Sequence, residues 1–283
     1  MLHYKIAGLK VHIKSRQKNR FKRLKPFESV FSDEPDLEIE FQASGSFCVR
    51  KYLLQENSQD VIKIDTEYCD GKTILYIFME DIDRPAYIIE ADSNWSHVTL
   101  FHLESDRLVS DVFSDYLGNL ILSNRLLFSD GIILHASSVS WSGKGIAFTA
   151  PSGTGKSTHT AMWVKYHKAS MINDDCPAIR YINGSAFIYG TPWNGACRKI
   201  NNTSAPLSAV VILERAVENS IRSLTYEEAV PMLLPRLFLP YHNPVMMDKA
   251  LENIDRIFRP IPIYLLKCRP DREATELVRQ CVI

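Results

Sequence analysis

The sequence predicts an α/β protein in which a small β-rich domain, residues 1–105, precedes a larger domain, residues 106–283. Three observations support this prediction. Short apolar runs separated by turn residues occupy residues 1–100 and are typical of strands. Apolar residues recur at helical spacing from residue 106, and strand-like and helix-like segments then alternate to the end of the chain. A length of 283 residues is sufficient for two ordinary domains.

The composition is that of an ordinary globular protein, with 46% hydrophobic and 23% charged residues, and it excludes a mostly disordered or fibrous chain. The sequence lacks a run of about 18 apolar residues, so we expect no transmembrane helix. The N-terminal residues lack the apolar core of a signal peptide, so we expect a cytoplasmic protein. The six cysteines include no CxxC pair, which argues against a zinc site, and we expect them to be reduced.

Charge is distributed unevenly along the chain, although 33 basic and 33 acidic residues balance. Residues 1–25 contain nine Lys and Arg residues and no acidic residue, which leaves 24 basic against 33 acidic residues in the remainder. Such a basic segment could bind an acidic peptide or RNA. One short basic run is more typical of a solvated strand end and loop, so we do not expect a nucleic-acid partner.

The first domain is predicted from six alternating or apolar runs, at residues 4–13, 37–41, 61–64, 73–78, 86–89 and 97–101. Turn signals such as Asp70-Gly71 separate these runs. The arrangement favours a small antiparallel sheet. We identify no catalytic motif in this domain.

The second domain begins with apolar residues at helical spacing, which predict a helix over residues 106–130 that ends at Gly131. Strands are expected at residues 132–139, 146–149, 170–172, 179–182, 186–189, 209–213 and 261–266. Helices are expected from Lys156 to about Lys168 and at residues 227–239, 245–257 and 271–281. Prolines interrupt residues 227–239, so we expect short helical turns there, with an apolar face that packs in the core or in a homo-oligomer.

The main functional signal is a glycine-rich loop between a strand and a helix. The signal consists of Ala150, Pro151, Ser152, Gly153, Thr154, Gly155, Lys156, Ser157 and Thr158. The two glycines allow backbone N–H groups to point inward, and these donors form an anion cradle with the N-terminus of the following helix. Lys156 can reach the β- and γ-phosphates, and the Ser157 hydroxyl can bind Mg²⁺. The pattern therefore predicts a phosphate-binding loop, in which Ala150 replaces the usual first glycine.

A phosphate-binding loop alone does not name a reaction, because ATPases, GTPases and kinases all use it. The Asn-Lys-x-Asp motif that reads guanine in GTPases is absent from the sequence. We therefore expect ATP as the nucleotide, bound with Mg²⁺.

An acidic pair, Asp174-Asp175, follows Lys156 by 18 residues, which is long enough for one helix and a return to the sheet. We expect the pair at a strand end close to the phosphates. Adjacent carboxylates on a strand point to opposite sides, so one can face a metal while the other faces an incoming hydroxyl. The alternative is an ordinary turn after the helix. His135, near the end of a strand, is either a structural histidine or a contact to the transferred phosphate or a carboxylate.

Together, His135, the loop from Ser152 to Thr158 and Asp174-Asp175 resemble the catalytic domain of the HPr kinase/phosphorylase family. That family is related to the ATP-dependent phosphoenolpyruvate carboxykinases. The order and close spacing of the three elements make the resemblance specific, and it is clearest over residues 130–200. It implies a P-loop kinase core of the HPr kinase type in the second domain.

The resemblance also implies a role for each residue. Lys156 would bind the phosphates, and Ser157 would bind Mg²⁺ together with Asp175. Asp174 would accept the proton of the attacking hydroxyl, and His135 would lie beside the transferred group. Which aspartate is the base and which is the metal ligand stays open.

Two departures separate the chain from the bacterial HPr kinases. By the resemblance, residues 189–196 correspond to a segment with a metal-binding glutamate in those enzymes, but they contain no acidic residue. Their basic loop near HPr has no clear counterpart, so we do not expect HPr as the acceptor.

Residues 190–195 look like a segment of small HPr-kinase-like proteins, and related small kinases phosphorylate serine in peptides or as the free amino acid. Arg198 and Arg236 are candidates for an arginine that steadies the transferred phosphate.

We therefore expect a Mg·ATP-dependent kinase that phosphorylates a serine-type hydroxyl, on a peptide, a protein or a small molecule. Two other functions stay open. A carboxykinase-like lyase would need a second metal site and an arginine clamp for an oxo-acid, and the sequence supplies neither clearly. A non-catalytic ATP-binding module would bind ATP without phosphorylating any acceptor.

Overall fold

The computed structural model describes residues 1–15, 21–44, 62–79, 85–103, 109–195, 200–241 and 243–282. They divide into two compact units, one of Met1–Lys5 with Leu9–Ile121 and the other of Ile6–Gly8 with Leu122–Ile283. The architecture is mixed α/β with two sheets. The division predicted at residue 105 stays a prediction. Within the described ranges, no helix is long and apolar enough to cross a membrane.

The first unit is built on seven strands. They are β1 (Leu2–Ile6), β2 (Leu9–Lys14), β3 (Leu37–Ser44), β4 (Ile62–Cys69), β5 (Lys72–Met79), β6 (Tyr87–Ala91) and β7 (His97–Leu103). They form one sheet in the order β1-β2-β3-β7-β6-β5-β4. Burial alternates along β2 and β6, so the apolar residues share one face. Each fully buried Leu or Ile side chain contributes about 1.5–3 kcal/mol, which makes this face the main source of the unit's stability.

Two predictions for this unit need correction. The sheet is mixed rather than antiparallel, because β3 runs parallel to both β2 and β7, while the pairs β4–β5, β5–β6 and β6–β7 are antiparallel. The single strand predicted over residues 4–13 is two strands. Ala7 and Gly8 have φ values of 50° and 78° and turn the chain between them. A two-residue turn of this kind reverses the chain without interrupting its apolar alternation.

Among the described residues, the second unit contains the other nine strands and most of the helices. The strands are β8 (Gly131–Ile133), β9 (Ala136–Trp141), β10 (Lys144–Thr149), β11 (Ser170–Asn173), β12 (Ala178–Ile182), β13 (Ser185–Tyr189), β14 (Ser204–Arg215), β15 (Ser220–Leu224) and β16 (Ile263–Cys268). Seven of them follow the order β11-β9-β10-β14-β13-β12-β8, while β16 pairs with β14 and β15.

The helices are α1 (Val109–Val112), α2 (Gly118–Leu127), α3 (Lys156–His167), α4 (Tyr226–Leu233), α5 (Pro244–Phe258) and α6 (Arg272–Val282). A π-helix, Phe113–Leu117, joins α1 to α2, so residues 109–127 form one helical stretch. The helix was predicted over residues 106–130; residues 106–108 lie outside the described residues, and residues 128–130 form a turn. Thr225 and Glu228 form a reciprocal capping box at the start of α4. Asn243 caps α5, which starts with Pro244. In the segment predicted at residues 227–239, α4 includes Pro231 and is followed by a short 3-10 turn, Leu234–Arg236.

The strand directions bring three chain segments to one edge of the sheet. β9 pairs antiparallel with both β10 and β11, so β10 and β11 run in the same direction. Thr149 at the end of β10 lies opposite Ala136 at the start of β9, and Asn173 at the end of β11 pairs with Ser138. The residues before β9, after β10 and after β11 therefore meet at this edge.

The second unit also requires corrections. The strand predicted over residues 132–139 is interrupted, since β8 pairs with β12 whereas β9 pairs with β10 and β11. Leu134 and His135 form the connection between these two strands. The strand predicted at residues 209–213 lies within the longer β14, which pairs with β13 up to residue 206, with β10 from residue 207 and with β16 from residue 210. β15, with the sequence Ser-Ile-Arg-Ser-Leu, was not predicted. The strand is largely exposed, so its sequence lacks the apolar run that marks a buried strand.

Candidate active site

The glycine-rich loop, residues 150–155, connects the end of β10 to the start of α3. Gly153 and Gly155 have φ values of 75° and 116°, in the region that favours glycine. A Cβ atom at either position would meet nothing within 4 Å. The two glycines are therefore required by the conformation of the loop and not by close packing against it.

The N-terminus of α3 is open to a ligand. Its N-cap residue, Gly155, supplies no capping side chain, and the first turn contains no acidic residue. The first intrahelical donor of this turn is the N–H of His159, which bonds to the oxygen of Gly155 at 2.9 Å. The preceding N–H groups carry the positive end of the helix dipole and are available for an anion.

Lys156 lies at this N-terminus with its side chain folded back over the loop. The residue is 8% exposed, and its Nζ donates a hydrogen bond to the oxygen of Ala150 at 3.2 Å. Burial lowers the pKa of Lys156, and the positive charge of Arg236 adds to this effect, while Asp175 opposes it. The ammonium group of Lys156 is therefore already shielded from water at the position where an anion would bind.

The acidic pair follows β11, as predicted, and its two members differ in environment. Asp174 is 2% exposed and accepts a hydrogen bond from Ser137 Oγ at 3.2 Å. Asp175 is half-buried, and its Oδ2 accepts from the thiol of Cys176 at 3.4 Å. The two carboxylates therefore differ in burial, and Asp174 has one oxygen held by the Ser137 hydroxyl.

Asn173 fixes the turn that presents this pair. Its Oδ1 accepts hydrogen bonds from the backbone N–H groups of Asp175 and Cys176, each at 2.8 Å. Its Nδ2 donates to the backbone oxygens of Thr191 and Trp193 at 3.2 and 3.0 Å. No role was predicted for Asn173 from the sequence, although an asparagine before two aspartates is a recognisable signal for such a turn.

His135 is held at the same edge by its backbone. Its N–H donates to the oxygen of Arg236 at 2.7 Å, and its own oxygen accepts from Thr149 Oγ1 at 2.8 Å. Its Nε2 lies 3.6 Å from Asp175 Oδ1. Burial lowers the pKa of His135, as do the charges of Lys156 and Arg236, while Asp175 raises it. The imidazole is therefore neutral near pH 7.

Two arginines border the site. Arg236 is half-buried, donates to the oxygen of Met232, and has a buried Nε without a hydrogen-bond partner among the described residues. Arg215, at the end of β14, donates from Nε to the oxygen of Thr154 at 3.3 Å and from Nη2 to the oxygen of Gly153. Sequence reasoning proposed Arg236 but missed Arg215, since no motif marks a residue 60 positions beyond the loop. The other candidate, Arg198, lies outside the described residues.

A pocket of about 360 Å³ opens beside the loop. Its lining residues include Thr154, Gly155, Thr158 and Met162 from the loop and α3, and Leu213, Arg215, Cys268 and Pro270 from the ends of β14 and β16. Met162, Leu213 and Pro270 give it an apolar surface that suits a flat ring.

The remaining predicted residues lie around the loop. Ser152, Gly153 and Thr158 are exposed, and Thr154, Gly155 and Ser157 are half-buried. The predicted site residues that meet at the sheet edge are His135, Lys156, Asp174 and Asp175. Trp193 is 4% exposed, and its indole Nε1 has no hydrogen-bond partner among the described residues.

No protein-family model and no curated protein matches this chain. Among solved structures, it is similar to the HPr(Ser) kinase/phosphatase from Coxiella burnetii, with 11% sequence identity and a TM-score of 0.31. The similarity covers 53% of this chain and 89% of that one. The relationship is distant at most, and it assigns no reaction to this chain.

Proposed function

We propose that this chain is a Mg·ATP-dependent kinase that transfers the γ-phosphate to a serine-type hydroxyl of a peptide or protein. The observation that carries the proposal is the meeting of three features at one sheet edge: an open helix N-terminus, a desolvated lysine and an acidic pair. Phosphoryl transfer needs cations around the phosphates and a carboxylate that accepts the proton of the nucleophile. In a P-loop kinase core, these are the groups expected at this position.

The phosphates would bind at the N-terminus of α3. The N–H groups of its first turn and Lys156 would contact the β- and γ-phosphates, and Arg236 would add positive charge on the side of His135. The nucleoside would then occupy the pocket beside Thr158, with its base against Met162 and Leu213. We expect Mg·ATP to bind at least tenfold more tightly than magnesium tripolyphosphate, because only ATP fills that pocket. Equal affinities, measured by calorimetry, would place the nucleoside elsewhere.

The donors near the loop suit Mg²⁺. The Ser157 hydroxyl and the half-buried Asp175 carboxylate are hard oxygen ligands. No cluster of three or more His, Cys, Asp or Glu side chains is found in the described part of the chain. Mg²⁺ at nucleotide sites uses one or two carboxylates with phosphates and water, so these two residues are sufficient. When bound, the ion would neutralise charge on the phosphate oxygens.

Asp174 is the proposed proton acceptor. The acceptor's O–H bond breaks, its proton moves to Asp174, and its oxygen bonds to the γ-phosphorus. The bond from the γ-phosphorus to the bridging oxygen breaks, and ADP leaves with that oxygen. The assignment follows from environment: Asp174 is buried and held by a hydroxyl, whereas Asp175 faces the more open side beside His135. His135, neutral near pH 7, can donate a hydrogen bond to the transferred group.

The deciding experiment measures transfer of labelled γ-phosphate from Mg·ATP to serine, to serine-containing peptides and to proteins of the source cell. Asp174→Asn tests the base, and Asp248→Asn, an exposed aspartate on α5, is the matched control. We expect label in a peptide or protein with wild type and the control, and its loss in Asp174→Asn with ATP binding retained. ATP binding without label in any acceptor would instead indicate a binding module. Decarboxylation of an oxo-acid would indicate the lyase.

A further inference from the structure

The imidazole of His159 is a buried polar group that the proposed catalytic steps do not use. His159 lies in the first turns of α3 and is 2% exposed. Its ring packs against Phe148 of β10, with the two ring centroids 4.7 Å apart. Its Nε2 accepts a hydrogen bond from the indole Nε1 of Trp163 at 3.3 Å. The ring is therefore held on one side by the sheet and on the other by its own helix.

The hydrogen bond from Trp163 determines which nitrogen of His159 carries the proton. An indole N–H can only donate, so Nε2 must accept with its lone pair. A neutral imidazole has one donor and one acceptor nitrogen, so the hydrogen is on Nδ1. In the described part of the chain, Nδ1 has no hydrogen-bond partner, although the side chain is almost fully buried. Because buried donors in folded proteins rarely lack an acceptor, we expect a ligand to supply one.

His159 also lines the pocket of about 360 Å³ beside the glycine-rich loop. Met162 of α3 and Leu213 of β14 line the same pocket, and neither side chain has a hydrogen to donate. Since Trp163 occupies Nε2, the group that the histidine can offer to the pocket is Nδ1–H. An apolar pocket with one placed donor accepts a flat ring and requires an acceptor atom at one point of that ring.

We propose that His159 is a specificity-determining residue, which donates its Nδ1–H to a ring nitrogen of adenine in this pocket. This inference rests on the proposed function, in which the nucleoside of ATP occupies the pocket. Adenine has three ring nitrogens without a hydrogen, N1, N3 and N7, and each of them can accept. His159 would contact the base and not the reacting phosphorus, so it would act on nucleotide affinity and not on the chemical step.

The test measures the Kd of Mg·ATP and of three analogues, in each of which a CH group replaces N1, N3 or N7 of adenine. Calorimetry on the full chain gives these values without requiring phosphoryl transfer. We expect the analogue that lacks the accepting nitrogen to bind about tenfold more weakly than ATP, the effect of one lost hydrogen bond. Affinities within about twofold of ATP for all three analogues would overturn the inference, and this result needs no variant.

His159→Gln shows whether the lost affinity belongs to this histidine. Its amide lies at the position of Nε2 and can still accept from Trp163, but it places no donor at the position of Nδ1. We expect it to bind Mg·ATP about tenfold more weakly than wild type, and to bind ATP and the discriminated analogue equally. The kcat at saturating Mg·ATP should stay within about twofold, and thermal denaturation verifies folding.

His167→Gln is the matched control, because His167 lies on the same helix but contacts Thr275 Oγ1 at 2.8 Å. It should keep the wild-type affinities for ATP and for all three analogues. An equal loss with the discriminated analogue in wild type and in His159→Gln would overturn the inference and leave the kinase proposal standing. A wild-type protein that does not bind Mg·ATP would overturn both proposals.

Discussion

Both units bring the carboxyl ends of parallel strands to one sheet edge, but the two edges differ in chemistry. In the first unit, the ends of β2, β3 and β7 border a pocket of about 540 Å³. Lys14 at this edge is paired with Glu38 at 2.6 Å, and His102 Nδ1 lies 2.9 Å from the oxygen of Leu103. In the second unit, the ends of β10, β14 and β16 border the glycine-rich loop and the open N-terminus of α3.

The difference is that Lys156 and Arg236, beside the loop, form no ion pair with a carboxylate among the described residues, although Lys267 and Glu214 pair at 3.5 Å at the ends of β16 and β14. Lys156 donates to a carbonyl rather than to a carboxylate, and Arg236 has an unpartnered Nε among the described residues. Asp175 contacts a neutral histidine at 3.6 Å. Parallel strand ends thus supply a recess, whereas the proposed phosphate site also needs a loop that presents N–H donors and cations without carboxylate partners.

The largest effect is expected when carboxylates at the two edges are each replaced by the corresponding amide. Asp174→Asn should lower phosphoryl transfer by about 10²–10⁴-fold, the contribution of a positioned base, with the Kd for Mg·ATP nearly unchanged. Glu40→Gln, at the pocket of the first unit, should leave transfer within about twofold of wild type. Steady-state kinetics and calorimetry measure the two quantities. An equal loss in both variants would mean that the first edge also takes part in catalysis.

The second prediction concerns His159, whose buried ring anchors α3. Its Nε2 accepts from the Trp163 indole at 3.3 Å, and burial lowers its pKa to about 4. Below pH 6.5 the histidine of the unfolded chain takes up a proton while the folded one stays neutral. The contribution of His159 to the free energy of unfolding therefore falls as pH decreases from 6.5 to about 4, and it is constant below pH 4. At ~1.4 kcal/mol per pH unit, the loss is about 3 kcal/mol.

Denaturant titrations of wild type and His159→Gln at several pH values measure this effect. The glutamine cannot titrate but can still accept from Trp163, so its stability should lack this component of the pH dependence. Identical pH profiles for the two proteins would show that His159 is not the group responsible.

The third prediction compares two glycines with positive φ, Gly155 at 116° in the loop and Gly71 at 76° in the turn between β4 and β5. Neither would bring an added Cβ within 4 Å of a neighbour, so alanine costs only backbone strain, about 1–2 kcal/mol at each site. Gly155→Ala should also weaken Mg·ATP binding about tenfold, since the cradle changes shape. Gly71→Ala should lower the stability of the protein without changing its affinity for Mg·ATP. Unaltered ATP affinity in Gly155→Ala would contradict a phosphate-binding loop.

The smallest effect is expected at Arg215, which donates to the oxygens of Gly153 and Thr154 from an exposed position. Arg215→Gln should weaken Mg·ATP binding about fivefold, or ~1 kcal/mol, because the loop loses two exposed hydrogen bonds. Arg222→Gln removes an exposed arginine that pairs with Glu228 and serves as the control. A similar loss in both variants would indicate a general effect of surface charge.

Local patterns in the sequence were sufficient to predict α3 and the position of the acidic pair after β11. The helix was predicted to begin at Lys156, and it spans Lys156–His167, because the glycines before it and the polar and apolar residues within it act locally. The prediction of one strand over residues 132–139 was wrong, because the break in it does not depend on local sequence. Its apolar run is continuous, and the break at Leu134 and His135 arises from pairing with different strands, which residues far away in sequence supply.

For the candidate site, the sequence by itself determined the residue types and the order of the loop, the lysine and the two aspartates, because a phosphate cradle is built from consecutive residues. Their grouping at one edge follows from antiparallel pairing of β9 with β10 and β11, which only the tertiary structure decided. Arg215, Thr160 and Ser137 approach the loop or Asp174 from separate elements, so no local spacing marks them. Contacts between residues distant in sequence depend on strand order, and strand order is set by packing of the whole unit.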